Sequence, residues 1–86
     1  MPVVSRFYGI AILMHYNDHA PPHFHVRYGN HKAAFAIEDG RLLAGSLPPR
    51  ARALVAEWAT LYQDELRKNW ERARRGEPLM PIPPLE

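Results

Sequence analysis

The spacing of apolar residues changes once along this 86-residue chain. Before the change, apolar and polar residues alternate as they do in β-strands, and after it the apolar residues recur at helical spacing. The breakpoint reads Gly45-Ser46-Leu47-Pro48-Pro49, which is typical of a strand end followed by a helix start. The pattern therefore predicts an α+β fold, in which a small antiparallel sheet of three or four strands packs against a C-terminal helical segment.

One domain accounts for the whole of 1–86, because a chain of this length suffices for a single hydrophobic core. We expect the sheet within 1–45, the helices within 46–76 and a proline-rich tail over 77–86. Strands are predicted where apolar residues dominate or alternate with polar ones, at 7–16, 23–28, 31–37 and 41–44.

The hairpin formed by the second and third predicted strands has a register that can be read from its turn. Gly29-Asn30 favours a two-residue turn, since glycine allows the positive φ that such turns require. This turn places Phe24 opposite Phe35 on the face that the helices would cover. The opposite face then presents three cross-strand pairs, His23–Ala36, His25–Ala34 and Arg27–Lys32.

The helical segment is too long for one straight helix. A helix over 49–75 would span about 40 Å, whereas a domain of this size is roughly 25 to 30 Å across. We therefore expect two helices or one bent helix, with the break near Tyr62-Gln63-Asp64. Gly76 and Pro78 end the segment.

The core is predicted from residues that share a strand face or a helix stripe. Leu79, Ile82 and Leu85 in the tail are also available to dock, either on the core or on a partner. The residues expected to be buried are Ile10, Ile12, Phe24, Phe35, Leu54, Trp58 and Trp70.

The composition removes several classes of site. The chain has no cysteine, which excludes disulfides and thiolate ligands. Its longest apolar run, 10–14, is too short to cross a membrane, and the N-terminus has no signal-peptide pattern. We therefore expect a cytoplasmic protein with no membrane partner. The formal net charge of +2 neither requires nor excludes nucleic acid, and a homodimer is compatible with the sequence.

All five histidines lie within 15–31, and imidazole is the side chain best suited to metal ligation and proton transfer near neutral pH. His23 and His25 alternate on one predicted strand, so they point the same way. Asp18 and His19 precede them across the stiff Pro21-Pro22 loop. Nitrogen and oxygen donors suit a divalent ion such as zinc, manganese, iron or nickel, so the predicted metal ligands are Asp18, His19, His23 and His25.

Two other roles fit the same residues. His23, His25 and Asp18 are candidate catalytic residues, because a carboxylate that orients an imidazole is a common acid–base arrangement. Alternatively, the histidines are structural and hydrogen-bond the Pro21-Pro22 loop to the strand.

Four basic residues are candidates for binding an anion or nucleic acid. Arg27 opposite Lys32 is a like-charge pair, which an anionic ligand would relieve. Arg50 and Arg52 lie near the start of the helical segment, where unpaired backbone amides favour anions.

Several strings of the chain also carry a resemblance. They are Ser5-Arg6-Phe7-Tyr8-Gly9-Ile10, Tyr16-Asn17-Asp18-His19, Pro21-Pro22-His23-Phe24-His25-Val26, Leu47-Pro48, Glu57-Trp58 and Asn69-Trp70. These strings resemble the small bacterial proteins grouped as domain of unknown function 4160, with the hallmark His-x-Pro-Pro-His-Phe-His-Val at 19–26. His19, His23 and His25 match the hallmark, with Asp18 just before it, whereas His15 and His31 lie outside.

The resemblance implies a function class rather than a reaction. Genes of this family often lie beside a second small gene, which implies a binding or interaction component of a two-gene, toxin–antitoxin-like module. Its partner would be the small protein encoded by the neighbouring gene, and its action could be directed at nucleic acid. The alternative is a metal-dependent or histidine-based phosphodiesterase or ribonuclease.

Overall fold

The computed structural model describes residues 2–86 as a five-stranded antiparallel sheet followed by two helices. Neighbours in sequence are neighbours in the sheet, so the strands form a meander in the order β1-β2-β3-β4-β5. The elements are β1 (Val3–Phe7), β2 (Ile10–Leu13), β3 (His23–Tyr28), β4 (His31–Ala36), β5 (Leu42–Gly45), α1 (Pro49–Leu61) and α2 (Gln63–Arg74). The predicted α+β fold is confirmed, with one strand more than expected.

The extra strand arises because the first predicted strand, 7–16, is wrong. Tyr8 and Gly9 both have positive φ, 50° and 78°, and form a tight turn between β1 and β2. Ile10, Ile12 and Met14 are buried as the alternation predicts, although Leu13 on the other face is buried as well. Tyr8, which the alternation placed beside them, instead sits in the turn and is 60% exposed. A non-glycine residue at positive φ is uncommon, so this turn has no strong sequence signal.

The predicted hairpin register is confirmed at every pair. Phe24 lies opposite Phe35, and their rings stack with centroids 5.8 Å apart. On the other face His25 lies opposite Ala34, and Arg27 opposite Lys32. We call the side that bears Phe24 the inner face of the sheet, and the side that bears His25 the outer face.

The helices cover the inner face. Trp58 of α1 is fully buried, with its ring centroid 5.9 Å from that of Phe24 and 5.5 Å from that of Phe7. Burial of side chains this large is the main favourable term for so small a domain. Of the residues predicted to be buried, all are buried except Leu54, which is only partly buried because it lies beside the central stripe of Ala51, Val55 and Trp58.

The break between the helices falls where it was predicted. Tyr62 leaves helical geometry, with φ −115° and ψ 28°, while its amide still donates to the Trp58 carbonyl. The break keeps the domain within 34 × 25 × 22 Å. In residues 2–86, neither helix has the length and apolar character needed to cross a membrane.

The tail docks on the core of its own chain. Ile82 and Leu85 are buried, and the Ile82 amide donates to the Val4 carbonyl of β1 at 2.8 Å. The indole Nε1 of Trp58 donates to the Pro83 carbonyl at 2.8 Å. The tail therefore closes the apolar side of the sheet edge at β1.

Candidate metal centre

The centre is built where the loop between β2 and β3 returns to the sheet. The chain leaves β2 at Leu13 and turns at Asn17, whose φ of 59° is positive. Asparagine tolerates this conformation better than most residues. Asp18 follows directly, and Pro21-Pro22 leads the chain into β3. The loop thus brings the carboxylate of Asp18 over the first residues of β3.

One carboxylate oxygen of Asp18 contacts two imidazoles. Oδ2 of Asp18 lies 2.9 Å from Nε2 of His23 and 3.1 Å from Nε2 of His25. The three ligand atoms of Asp18, His23 and His25 all lie within 4.8 Å of one another. We call these three residues the Asp-His-His cluster.

The cluster is enclosed on one side and open on the other. The side chain of His23 is 9% exposed and that of Asp18 is 16% exposed, whereas His25 is 31% exposed. The ring of His23 packs against that of Trp70, with centroids 5.4 Å apart. Solvent and small ligands therefore reach the cluster from the side of His25.

A second hydrogen bond selects the tautomer of neutral His23. Nδ1 of His23 lies 2.7 Å from the Pro21 carbonyl oxygen. A carbonyl only accepts hydrogen bonds, so Nδ1 carries the proton that it donates. Neutral His23 then has a bare lone pair on Nε2, and this lone pair faces the Asp18 carboxylate. The contact is favourable only when a proton or a metal cation lies between the two atoms.

The electrostatics of the cluster favour the ionised carboxylate. Partial burial raises the pKa of Asp18, but the hydrogen bond from His25 and the positive charges that His23 and His25 carry when protonated outweigh it, so the pKa is lowered overall. Asp18 is therefore ionised at neutral pH, as a metal ligand must be.

The structure places His15 beside the cluster and His19 outside it. The rings of His15 and His25 are 4.1 Å apart, and burial followed by repulsion from His25 lowers the pKa of His15. His19 is 92% exposed, and its Nδ1 lies 3.7 Å from the other oxygen of Asp18. His15 lies outside the hallmark and was not among the predicted ligands. Alternation continued from Leu13, which pairs with His25, puts it on the outer face.

The basic candidates fall into two groups. Arg27 and Lys32 are exposed and face each other on the outer face, next to the cluster. Arg50 and Arg52 are exposed in the first turn of α1, a separate element. The sheet thus joins the first pair to the histidines, and the second pair belongs to the helical part of the chain.

The candidate metal centre lies within the part of the chain that matches a known protein family. The family model described as domain of unknown function (DUF4160) matches residues 9–71, well over half of the chain and all of the Asp-His-His cluster. The chain belongs to this family. No curated protein and no solved structure matches the chain. Membership in DUF4160 thus fits the predicted resemblance, and the chemistry of the site has to be argued from its geometry.

Proposed function

We propose that the protein binds a divalent transition-metal ion through Asp18, His23 and His25. The observation that carries this proposal is the contact of His23 Nε2 with Asp18 Oδ2 while Nδ1 of the same ring donates to a backbone carbonyl. Metal-binding histidines characteristically use their second nitrogen in this way, because the hydrogen bond holds the ring and the tautomer. A divalent ion would replace the missing proton and satisfy both lone pairs.

The spacing of the donors suits such an ion. Ligand atoms around a tetrahedral zinc with bonds of about 2.0 to 2.1 Å are separated by about 3.3 Å. The Asp18 oxygen lies 2.9 and 3.1 Å from the two imidazole nitrogens, so small movements of the side chains would suffice. Two histidines and one carboxylate leave coordination positions free, as in catalytic rather than structural metal sites.

The free positions define the activity that the site supports best. A metal with open coordination lowers the pKa of a bound water molecule and makes it a nucleophile at neutral pH. Arg27 and Lys32 beside the cluster favour an anionic substrate. A metal-dependent phosphodiesterase or ribonuclease is therefore the proposed reaction class, with His25 as the most accessible of the three protein ligands.

Metal-stripped, untagged protein titrated with Zn²⁺, Mn²⁺, Fe²⁺ or Ni²⁺ tests the proposal. We expect one ion per chain and stabilisation of about 2.7 kcal/mol at a concentration one hundred times the Kd. Asp18→Asn and His25→Ala should remove this stabilisation. The matched controls are His19→Ala and His31→Ala, both outside the Asp-His-His cluster and both expected to bind as the unmodified protein does.

Two results would contradict the proposal. One is the absence of stabilisation by all four metals. The other is equal loss of binding in the cluster variants and the His31 control, which would indicate adventitious coordination by surface imidazoles. Loss in His19→Ala together with the cluster variants would instead restore the four-ligand set predicted from the sequence.

The two-gene interaction stays a prediction of the family resemblance. We propose that the partner is a small protein encoded by the neighbouring gene in a bacterial cytoplasm. Co-expression followed by co-purification tests this proposal. A complex that forms with the unmodified chain and leaves metal binding unaltered would show that the two roles are separate.

A further inference from the structure

A row of basic side chains crosses the outer face of the sheet. The strand register aligns Arg6 of β1 with Ala11 of β2, Ala11 with Arg27 of β3, and Arg27 with Lys32 of β4. Neighbouring strands are about 4.8 Å apart, so the row spans roughly 14 Å. We call Arg6, Arg27 and Lys32 the cationic row. Arg6 carries no signal in the sequence, because β1 was not predicted.

The cationic row has no internal counter-charge. All three residues are exposed, and among residues 2–86 no carboxylate lies within ion-pair distance of any of them. The arginines of the helical side differ, since Arg67 and Arg74 each contact an acidic residue of α2. Arg27 and Lys32 lie directly opposite each other, and like charges in that position are destabilising. Folding therefore does not explain the row, whereas an anionic ligand does.

The row is continuous with the candidate metal centre. His25 precedes Arg27 by two residues on the same face of β3, about 7 Å along the strand. A cavity of about 200 Å³ lies between them and is bordered by His15, His25, Arg27 and Lys32. A ligand on the row therefore has a direct path into the open side of the Asp-His-His cluster.

We propose that the cationic row binds the phosphate backbone of a single-stranded nucleic acid and places one phosphodiester at the Asp-His-His cluster. The proposal deepens the proposed function, and its second half rests on it. Regularly repeated phosphates match cations spaced along a line, and arginine binds phosphate through its two-pronged guanidinium. A single strand is flexible enough to follow the surface of the sheet and bend into the cavity, unlike a rigid duplex.

Binding is tested without metal, so that it is independent of the proposed catalysis. A fluorescently labelled oligouridylate 12-mer and the matching oligodeoxythymidylate are titrated with protein in EDTA, and anisotropy is recorded at 50 and 200 mM salt. Three phosphate contacts on a single strand predict a slope of about −2 in log K against log salt. The corresponding loss of affinity between the two salt concentrations is about 20-fold.

Two triple variants distinguish binding by the cationic row from non-specific attraction to the positive charge of the whole protein. Arg6→Ala, Arg27→Ala and Lys32→Ala combined should weaken binding at least tenfold at 50 mM salt and flatten the salt dependence. The matched control removes three charges from exposed positions of α2, by Arg67→Gln, Lys68→Gln and Arg74→Gln, and should change affinity less than twofold. Circular dichroism establishes that both triple variants are folded. Arg6→Ala alone should also weaken binding, because it removes one of the three contacts.

Several outcomes would overturn the proposal. They are equal binding by the two triple variants, a salt slope shallower than −1, preference for a duplex, and displacement of the oligonucleotide by polyglutamate of equal length. The last result would identify an acidic protein segment as the occupant. Asp18→Asn should retain oligonucleotide binding in EDTA. Metal binding without oligonucleotide binding would thus refute this inference alone, and the reverse would refute the proposed metal centre alone.

Discussion

Two polar clusters of this domain differ in burial and in how their hydrogen-bond donors and acceptors are matched. Asn69 of α2 is fully buried, and its amide pairs in both directions with the backbone of Met80 in the tail. Nδ2 donates to the Met80 carbonyl at 2.8 Å, and Oδ1 accepts from the Met80 amide at 2.9 Å. Each donor meets an acceptor, so the arrangement is complete without any ligand.

The Asp-His-His cluster lacks this complementarity. Asp18 offers only acceptors, and neutral His23 offers a second acceptor to the same point in space. A satisfied buried pair fastens the tail to the helix, whereas an unsatisfied pair at an accessible position needs a proton or a cation. The contrast fits a structural role for the first cluster and the metal-binding role proposed for the second.

The largest effect is expected from Asn69→Asp. The exchange keeps the shape but replaces the donor to the Met80 carbonyl with a second acceptor, and it introduces a buried charge. We expect the free energy of unfolding to fall by about 3 kcal/mol, with Arg72 relieving only part of the cost because it already donates to Oδ1. Urea denaturation measures the change.

The matched control for that exchange is Asn30→Asp. Asn30 is exposed in the turn between β3 and β4, so the same chemical change should alter stability by less than about 0.5 kcal/mol. Equal effects at the two positions would mean that the amide pair with Met80 contributes nothing specific.

A smaller effect is expected from the reverse exchange, Asp18→Asn, in metal-free protein. The amide can donate one N–H to the bare Nε2 of His23, and its other N–H can pair with Nε2 of His25 once that ring takes the tautomer with its proton on Nδ1. We therefore expect the unfolding free energy at pH 7 to change by less than about 1 kcal/mol. A loss as large as that of Asn69→Asp would contradict the comparison and assign the cluster to folding.

The stability of the unmodified protein and of Asp18→Asn should depend differently on pH. The pKa of Asp18 is lowered in the folded state from its ordinary value of 3.8. The stability due to this carboxylate is therefore present above pH 4 and lost as the pH falls through the folded pKa. Unmodified protein in EDTA should lose stability relative to Asp18→Asn between pH 5 and pH 2, and an unchanged difference would contradict the assigned interactions.

The smallest effect is expected at Asp39, an exposed carboxylate in the turn between β4 and β5. The backbone amide and then the guanidinium of Arg41 hydrogen-bond it and lower its pKa. Arg41→Ala should move the carboxylate titration upward in NMR spectra while leaving stability almost unchanged, since solvent screens exposed pairs. A large stability change here would contradict the small contribution expected of an exposed ion pair.

The sequence predicted the parts of this protein that depend on neighbours along the chain. The turn at Gly29-Asn30 and strict alternation were enough to place His25, Arg27 and Lys32 on one face, because a short hairpin leaves little freedom of register. The change of hydrophobic period gave the order of sheet and helices. The length of the helical segment, set against the size of a domain, predicted a break near Tyr62-Gln63-Asp64, and the break falls at Tyr62.

Contacts between distant segments were not predictable in the same way. Alternation could not reveal the turn at Tyr8-Gly9, because its positive φ depends on β1 pairing with β2, and without β1 the alignment of Arg6 with Arg27 was hidden. The pairing of Asn69 with Met80 requires the tail to fold back across α2. The position of His19, exposed and 3.7 Å from Asp18 but outside the Asp-His-His cluster, depends on how the loop closes over β3. The sequence determines which donors and acceptors the chain carries. Which of them meet depends on packing between segments far apart in the chain.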